Sequence, residues 1–202
     1  LGCEPAGRLR SLCRAEATTL NVGLLATWGA YLARLSGAST VIVAQPHSLR
    51  HDPRLSWLIG YFHTVIPIVY TANGTCGTRQ AVRSMHESFK NAFQHTIISF
   101  HEIVAAVSAA RSSSYNPLAQ TDLIYHEPES VAEELAAFGE GSMTEPSSAE
   151  DMGAEEALSF KVSFDFALYF WDGDGTLQGV LAYDGALITQ DTARAMMARF
   201  ER

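Results

Sequence analysis

Residues 160–183 carry the pattern that most restricts the fold. Phe160, Val162, Phe164, Phe166, Leu168 and Phe170 alternate with Lys161, Ser163, Asp165, Ala167 and Tyr169. A period of two sends the first set to one face of a β-strand and the second to the other. Asp172-Gly173-Asp174-Gly175 then supplies the residues of a hairpin turn, and Thr176 to Tyr183 returns as the partner strand. The fold must hold an antiparallel pair with an apolar face that needs a cover. A strictly parallel sheet is excluded.

The rest of the chain provides helices and further strands. Leu9 to Arg14 reads as a short helix with Leu9, Leu12 and Cys13 on one side. Thr18 and Thr19 are N-cap candidates for a longer helix in which Leu24, Trp28, Tyr31, Leu32 and Leu35 recur at helical spacing, with Gly37 as its stop. Thr40 to Ala44 is a β-branched strand, residues 45–58 a loop containing Pro46 and Pro53, and Ile59 to Tyr70 a strand that Pro67 marks as an edge or a bulge. Thr78 is expected to cap a helix with a Val82, Met85, Phe89 and Phe93 stripe. A helix over Phe100 to Ala110, with Ile103, Val104 and Val107 inward, follows, and then a strand over Ala119 to Tyr125. A last helix, capped near Thr189, turns Ala193, Met196, Met197 and Phe200 inward. Beyond the short first helix the order is α-β-β-α-α-β-β-β-α, an α/β lobe built as a mixed-sheet sandwich. The helical crossovers permit parallel pairs beside the hairpin.

Charge sets bounds on partners. The 202 residues hold 22 acids against 14 Lys and Arg, a net charge of −8. Residues 112–160 contain 11 of those acids and no Lys or Arg, which leaves the remainder at a net +3. The stretch at about 128–158, rich in Glu, Ser, Ala and Gly, reads as an acidic, mobile insertion in a single lobe spanning 1–202. An acidic chain is a poor ligand for nucleic acid or an acidic membrane. No apolar run reaches the ~20 residues of a membrane span, and no secretory leader is visible at Leu1 to Arg14. Cys3, Cys13 and Cys76 form no C-x-x-C pair, so a reducing cytoplasm is the expected setting.

Few residue patterns speak for chemistry on their own. His47 and His51 are four apart, but Leu49 and Pro53 place them in a loop, and no Cys cluster or H-E-x-x-H accompanies them, so no metal site is expected. Asp172, Asp174 and Thr176 begin like a calcium loop, but Leu177 and Tyr183 stand where Gly and Glu are needed, which leaves a hairpin turn. There is no G-x-S-x-G elbow and no glycine-rich phosphate loop. His86, His95, His101 and His126 could each serve as a base in principle, but each reads first as a helix-surface or strand-end residue.

Four stretches together resemble the C-terminal lobe of a nonribosomal peptide synthetase condensation domain, which has the chloramphenicol-acetyltransferase-like fold. The helix from Thr19, Gly37 and the strand ending A-Q-P-H-S-L-R at Arg50 are similar to the family's helix, strand and G-x-P-x-x-x-R turn, with Ala44 in place of Gly. Ile59 to Pro67 resembles I-G-x-F-V-N-T-L-P, and His95 to His101 resembles H-x-x-V-P-F-E with Ser99 and His101 departing. Arg111-Ser112-Ser113-Ser114-Tyr115-Asn116-Pro117-Leu118-Ala119-Gln120 matches R-D-x-S-R-N-P-L-F-Q at six positions. Gly179 to Asp184 and the closing helix are similar to the family's last strand and helix.

The resemblance implies half of an amide-forming acyltransferase. The family's H-H-x-x-x-D-G motif belongs to the N-terminal lobe, and these 202 residues contain no adjacent histidines, so no catalytic residue is expected in this chain. His47, Ser48, Arg50 and Asn116 are the candidates for the substrate tunnel, while Arg111, Pro117, Gln120, Gly60 and Phe62 are structural motif positions. The implied partners are the N-terminal lobe and carrier proteins bearing phosphopantetheine arms. No directly bound cofactor, nucleic acid or membrane is implied. A carrier-docking scaffold without chemistry, or a lobe of a related acyltransferase, epimerising or ester-forming member, fits the same residues.

Overall fold

The computed structural model describes residues 1–50, 53–55, 57–72, 77–107, 116, 118–126, 164–173 and 175–201. Five strands form one sheet: β1 (Thr40–Ser48), β2 (His63–Thr71), β3 (Thr121–His126), β4 (Phe166–Gly173) and β5 (Thr176–Tyr183). Their order is β2-β1-β3-β4-β5. β1 and β2 pair antiparallel from Thr40↔Thr71 to Ser48↔His63, and β4 and β5 from Phe166↔Tyr183 to Gly173↔Thr176. β3 joins the two antiparallel pairs by running parallel to its neighbours β1 and β4, with Asp122 opposite Ala44 on one side and Ala167 on the other. The expected mixed sheet is thus two antiparallel hairpins joined through one central strand.

One face of the sheet is covered by α1 (Cys3–Ala15), α2 (Leu20–Ser36), α3 (Thr78–Phe93) and α5 (Gln190–Phe200). Leu24, Leu25, Trp28, Val82, Met85 and Met196 from these helices bury Val43, Ile68, Leu123, Leu168, Phe170 and Leu177 of the strands in one cluster. Each large side chain so buried contributes roughly 1.5–3 kcal/mol of transfer free energy. Trp28 joins the layers: its ring lies 5.5 Å from Tyr31 and edge-on to Phe166 and Phe200, and its Nε1 donates to Thr121 Oγ1 at 3.3 Å. One residue on, Gly29 lets α2 reach β2, because a Cβ there would stand 2.7 Å from the Tyr70 Cβ. The short α4 (Phe100–Ala106) starts with a reciprocal Ser99–Glu102 capping box and sends Phe100 against Ala44, Ala119 and Phe164 on the opposite face.

Several boundaries differ from expectation. β1 continues to Ser48 because Gln45 to Ser48 pair with β2, so only the segment beyond it is a connection. β2 begins at His63: the Phe62 carbonyl still accepts the Leu49 amide, but among the described residues no strand pairs with Trp57 to Tyr61, and Pro67 is tolerated because β2 is an edge. Thr78 is the first residue of α3 and Gly77 its N-cap, while Thr19, Gly37 and Thr189 end their helices as expected. α1 is longer than Leu9 to Arg14. α4 stops at Ala106, and Val107, at its C-cap, is exposed rather than inward. Leu35 and Phe93 lie near helix ends and are likewise exposed.

Phe164 leaves the face of Phe166, Leu168 and Phe170: the chain bends at 164–165, where the Asp165 amide donates to the Gln120 carbonyl, and Phe164 joins the smaller cluster. The Asp172 turn is a hairpin, with Gly175 at φ +82 and Arg10 Nη2 bound to Asp172 Oδ1 at 2.5 Å. The acidic stretch of 128–158 and the expected strand residues Phe160 to Ser163 lie outside the described residues, as do His51, Cys76, Arg111 and Pro117.

Candidate functional site

Two regions collect the chemistry-bearing residues, and both follow from strand register. The first is the connection after β1. Arg50 organises it: Nη1 donates to the Leu55 carbonyl, Nη2 to the Gly60 carbonyl at 3.1 Å, and the guanidinium lies 4.4 Å over the Phe62 ring. A Cβ on Gly60 would meet Phe62 Cε2 at 2.9 Å, so Gly60, Phe62 and Arg50 form one packed unit. Ser48 Oγ accepts from the Arg50 amide at 3.3 Å. This unit presents Trp57, Ile59 and Tyr61 to solvent at 75%, 104% and 86% exposure. A strand expectation over Ile59 to Tyr70 hid this, although Gly60 and the lack of alternation at 57–61 signal it.

His47 is one residue from Ser48 and turns the other way. It shares the helix face with Gln45 and Val43, and its ring packs edge-on to Phe93 of α3, 4.4 Å between centroids. Ser48 and its pair His63 point to the opposite face. Asn116 and Gln120 belong to the far end of the sheet. Gln120 Nε2 donates to the Asn116 carbonyl at 2.9 Å, and the Gln120 carbonyl receives the Asp165 and Phe166 amides. Between Asn116 and Gln120, Leu118 adopts φ +76, a conformation that costs a branched residue and is held by these contacts. Gln120 precedes Asp122 by two residues while Ser48 follows Ala44 by four, so about 20 Å of strand separates the two motifs. The structure brings Ser48, Arg50, Gly60 and Phe62 together and leaves Asn116 and Gln120 apart from them.

The second region is the face of β3 and β4 opposite the helix layer. None of α1, α2, α3 and α5 packs on it, since all four join the cluster on the other side. Register places Asp122, Ile124 and His126 of β3 there beside Ala167, Tyr169 and Trp171 of β4. The His126 and Trp171 rings stack at 5.3 Å and 7°, and Tyr169 continues the row at 6.0 Å and 15° from Trp171. Asp122 sits at the head of this face, 6% exposed, and its Oδ1 has no hydrogen-bond partner among the described residues. Burial raises its pKa from 3.8 to about 6. Burial, and secondarily the Asp122 charge, also raises the Tyr169 phenol. Sequence reasoning missed Asp122; the signal was an acid inside an otherwise strand-like A-Q-T-D-L-I-Y run. What the face offers is a negatively charged acceptor beside stacked rings.

Other candidates are placed elsewhere. His86 Nδ1 shares a hydrogen bond with Thr18 Oγ1 at 2.7 Å, and His95 and His101 lie at the ends of α3 and α4. Among the described residues no group of His, Cys, Asp and Glu could hold a metal ion, and no helix is long and apolar enough to cross a membrane. Cys13 is buried and free, and Cys3 is exposed and free.

Comparison with known proteins gives one consistent result. Residues 4–202 match the family described as Condensation domain. Nonribosomal peptide synthetase penN of Penicillium thymicola is 30% identical over 195 residues, which cover 95% of this chain and 6% of that protein. Malpinin synthetase of Mortierella alpina is 27% identical over 184 residues, covering 91% and 2%. The chain thus spans a few per cent of the length of these relatives. Among solved structures, a four-domain nonribosomal peptide synthetase bound to AMP and glycine superposes with a TM-score of 0.81 at 22% identity, covering 99% of this chain and 15% of that one. The X-domain from teicoplanin biosynthesis superposes at 0.76 and 18% identity, covering 99% and 44%. These structures share the fold.

Proposed function

The chain belongs to the condensation-domain family, and from that premise we propose that it forms one lobe of a domain that joins carrier-bound acyl and aminoacyl thioesters in nonribosomal peptide biosynthesis. The match over residues 4–202, combined with superposition on less than half of a related domain, carries this reading. In the reaction the acceptor amine attacks the donor thioester carbonyl carbon, an amide bond forms, and the donor thiol leaves. The proton acceptor or oxyanion stabiliser is the histidine motif of the complementary lobe, since these 202 residues contain no adjacent histidines.

This lobe's contribution is positional. The face bearing Ser48, His63, Asp122, Tyr169 and Trp171 forms a wall of the substrate tunnel. Asn116 borders it at the β3 start, and Arg50 shapes the connection at the other end. His47, turned against Phe93, buttresses that connection from the helix side. The exposed Trp57, Ile59 and Tyr61 supply apolar surface to the complementary lobe. Carrier proteins deliver both substrates on phosphopantetheine arms, and the net +3 outside residues 112–160 suits an acidic carrier.

The test is transfer between carriers. With an acyl donor carrier and an aminoacyl acceptor carrier, the intact domain moves the acyl group onto the acceptor, read as the mass gain of the acceptor carrier. Binding of a holo carrier with no transfer by the intact domain favours the scaffold reading instead.

A further inference from the structure

We propose that Asp122 and the aromatic row beside it form a subsite for a protonated amine, the ammonium of the acceptor aminoacyl group. The inference rests on the function proposed above and assigns the group that holds the acceptor.

A buried carboxylate either meets a hydrogen-bonding, oppositely charged partner or takes up a proton. No Arg or Lys pairs with Asp122 among the described residues, and Oδ1 accepts no hydrogen bond there. The register partners on both neighbouring strands are Ala44 and Ala167, whose side chains end at Cβ. At that level of the sheet the carboxylate is therefore the longest side chain across β1, β3 and β4, on the face opposite the four long helices, where α4 packs Phe100 against the neighbouring Ala44 and Asp122 is 6% exposed. A missing partner that donates hydrogen bonds and carries positive charge fits this position.

The surroundings select the kind of cation. A hard divalent ion needs several oxygen ligands, and no cluster of carboxylates or imidazoles stands here among the described residues. An anion is repelled by the carboxylate. A monovalent ammonium is attracted by the carboxylate and also by aromatic faces. Tyr169 lies one register step beyond Asp122 on the same face, and Trp171 and His126 extend the row. An aminoacyl group has that shape: an ammonium on the α-carbon, with an apolar or aromatic side chain beside it. The role is positional, and no bond to Asp122 forms or breaks.

The test uses the intact domain that contains this segment. The probes are the alanyl amide of N-acetylethylenediamine, a stable stand-in for an aminoacyl thioester, and its propionyl counterpart, which lacks only the amine. Calorimetry is run on wild type, Asp122→Asn and Trp171→Ala. A lost charge-assisted contact weakens alanyl binding by about tenfold or more in Asp122→Asn, while propionyl binding is unchanged. Trp171→Ala, which leaves the carboxylate in place, weakens alanyl binding by a smaller factor than Asp122→Asn and is informative if Asp122→Asn does not fold. Unchanged alanyl binding in the folded variants, or equal weakening of both probes, would overturn the subsite. Wild type that binds alanyl selectively but transfers no acyl group between carriers would refute the proposed reaction and leave the subsite standing.

Discussion

Asp122 makes the stability of this chain depend on pH in a direction opposite to most paired carboxylates. Its carboxyl has an ordinary value of 3.8 and is held at about 6 in the fold by burial. The folded state therefore binds the proton more tightly than the unfolded state. Below the ordinary value both states are protonated and Asp122 costs no charge burial. As pH rises from 3.8 to 6 the unfolded chain ionises while the folded one keeps its proton, so stability falls, and above 6 both states are ionised and the loss is complete. The two values lie roughly two pH units apart, and at about 1.4 kcal/mol per unit the loss is on the order of 3 kcal/mol by neutral pH. Asp122→Asn keeps the shape and removes the titration. Urea unfolding of both chains, run in steps from pH 4 to pH 7.5, isolates the effect, because every other group cancels in the difference. The wild type should lose about 2.4 kcal/mol relative to Asp122→Asn across that range, the remaining ~0.5 kcal/mol being lost below pH 4. A flat difference, or a wild type that gains on the variant as pH rises, would refute the claim that burial raises the pKa of this carboxyl.

Other features give independent expectations. Gly29→Ala gains about 1 kcal/mol of helix propensity but drives a Cβ to 2.7 Å from the Tyr70 Cβ, and overpacking of about 1–3 kcal/mol prevails; thermal melting should fall, and a raised melting temperature contradicts the packing. Arg50→Ala removes two carbonyl contacts and the ring contact with Phe62, costing about 1–2 kcal/mol. Hydrogen exchange should speed up across Trp57 to Phe62, and unchanged exchange there speaks against the staple. The Glu16 carboxyl is held below its ordinary range, chiefly by the Arg83 hydrogen bond. Arg83→Met should let it rise in an NMR titration, while an unmoved value shows that the bond does not form.

The sequence revealed regular elements better than their ends. Alternation from Phe166 to Phe170 and the Gly175 turn identified the β4–β5 hairpin because period and turn chemistry agree there. The helix of Leu20–Ser36 was legible from Thr19 and Gly37, since a cap hydrogen bond and a left-handed stop are local events. Which strand neighbours which was not legible: β3 between β1 and β4 depends on long-range pairing that no local pattern encodes. The same limit governs the site. The Arg50, Gly60 and Phe62 motif residues came together because the β1–β2 hairpin closes on them, whereas Asn116 went to the other end of β3. Asp122 escaped notice because its burial comes from neighbouring strands and its own run reads as an ordinary strand. His47 was read with Ser48 and Arg50, yet strand alternation sends it to the other face.

On the proposed function, this chain is one lobe of an amide-forming domain and depends on a second lobe for its histidines. Reconstitution separates the two lobes. The 202-residue chain, a separate N-terminal lobe bearing H-H-x-x-x-D-G, and the two joined are each given a loaded donor carrier and a loaded acceptor carrier, and the acceptor carrier is weighed by intact-protein mass spectrometry. If both lobes are needed, neither lobe alone transfers the acyl group and the joined pair does. Transfer by the 202 residues alone, or none by the joined lobes, contradicts that reading.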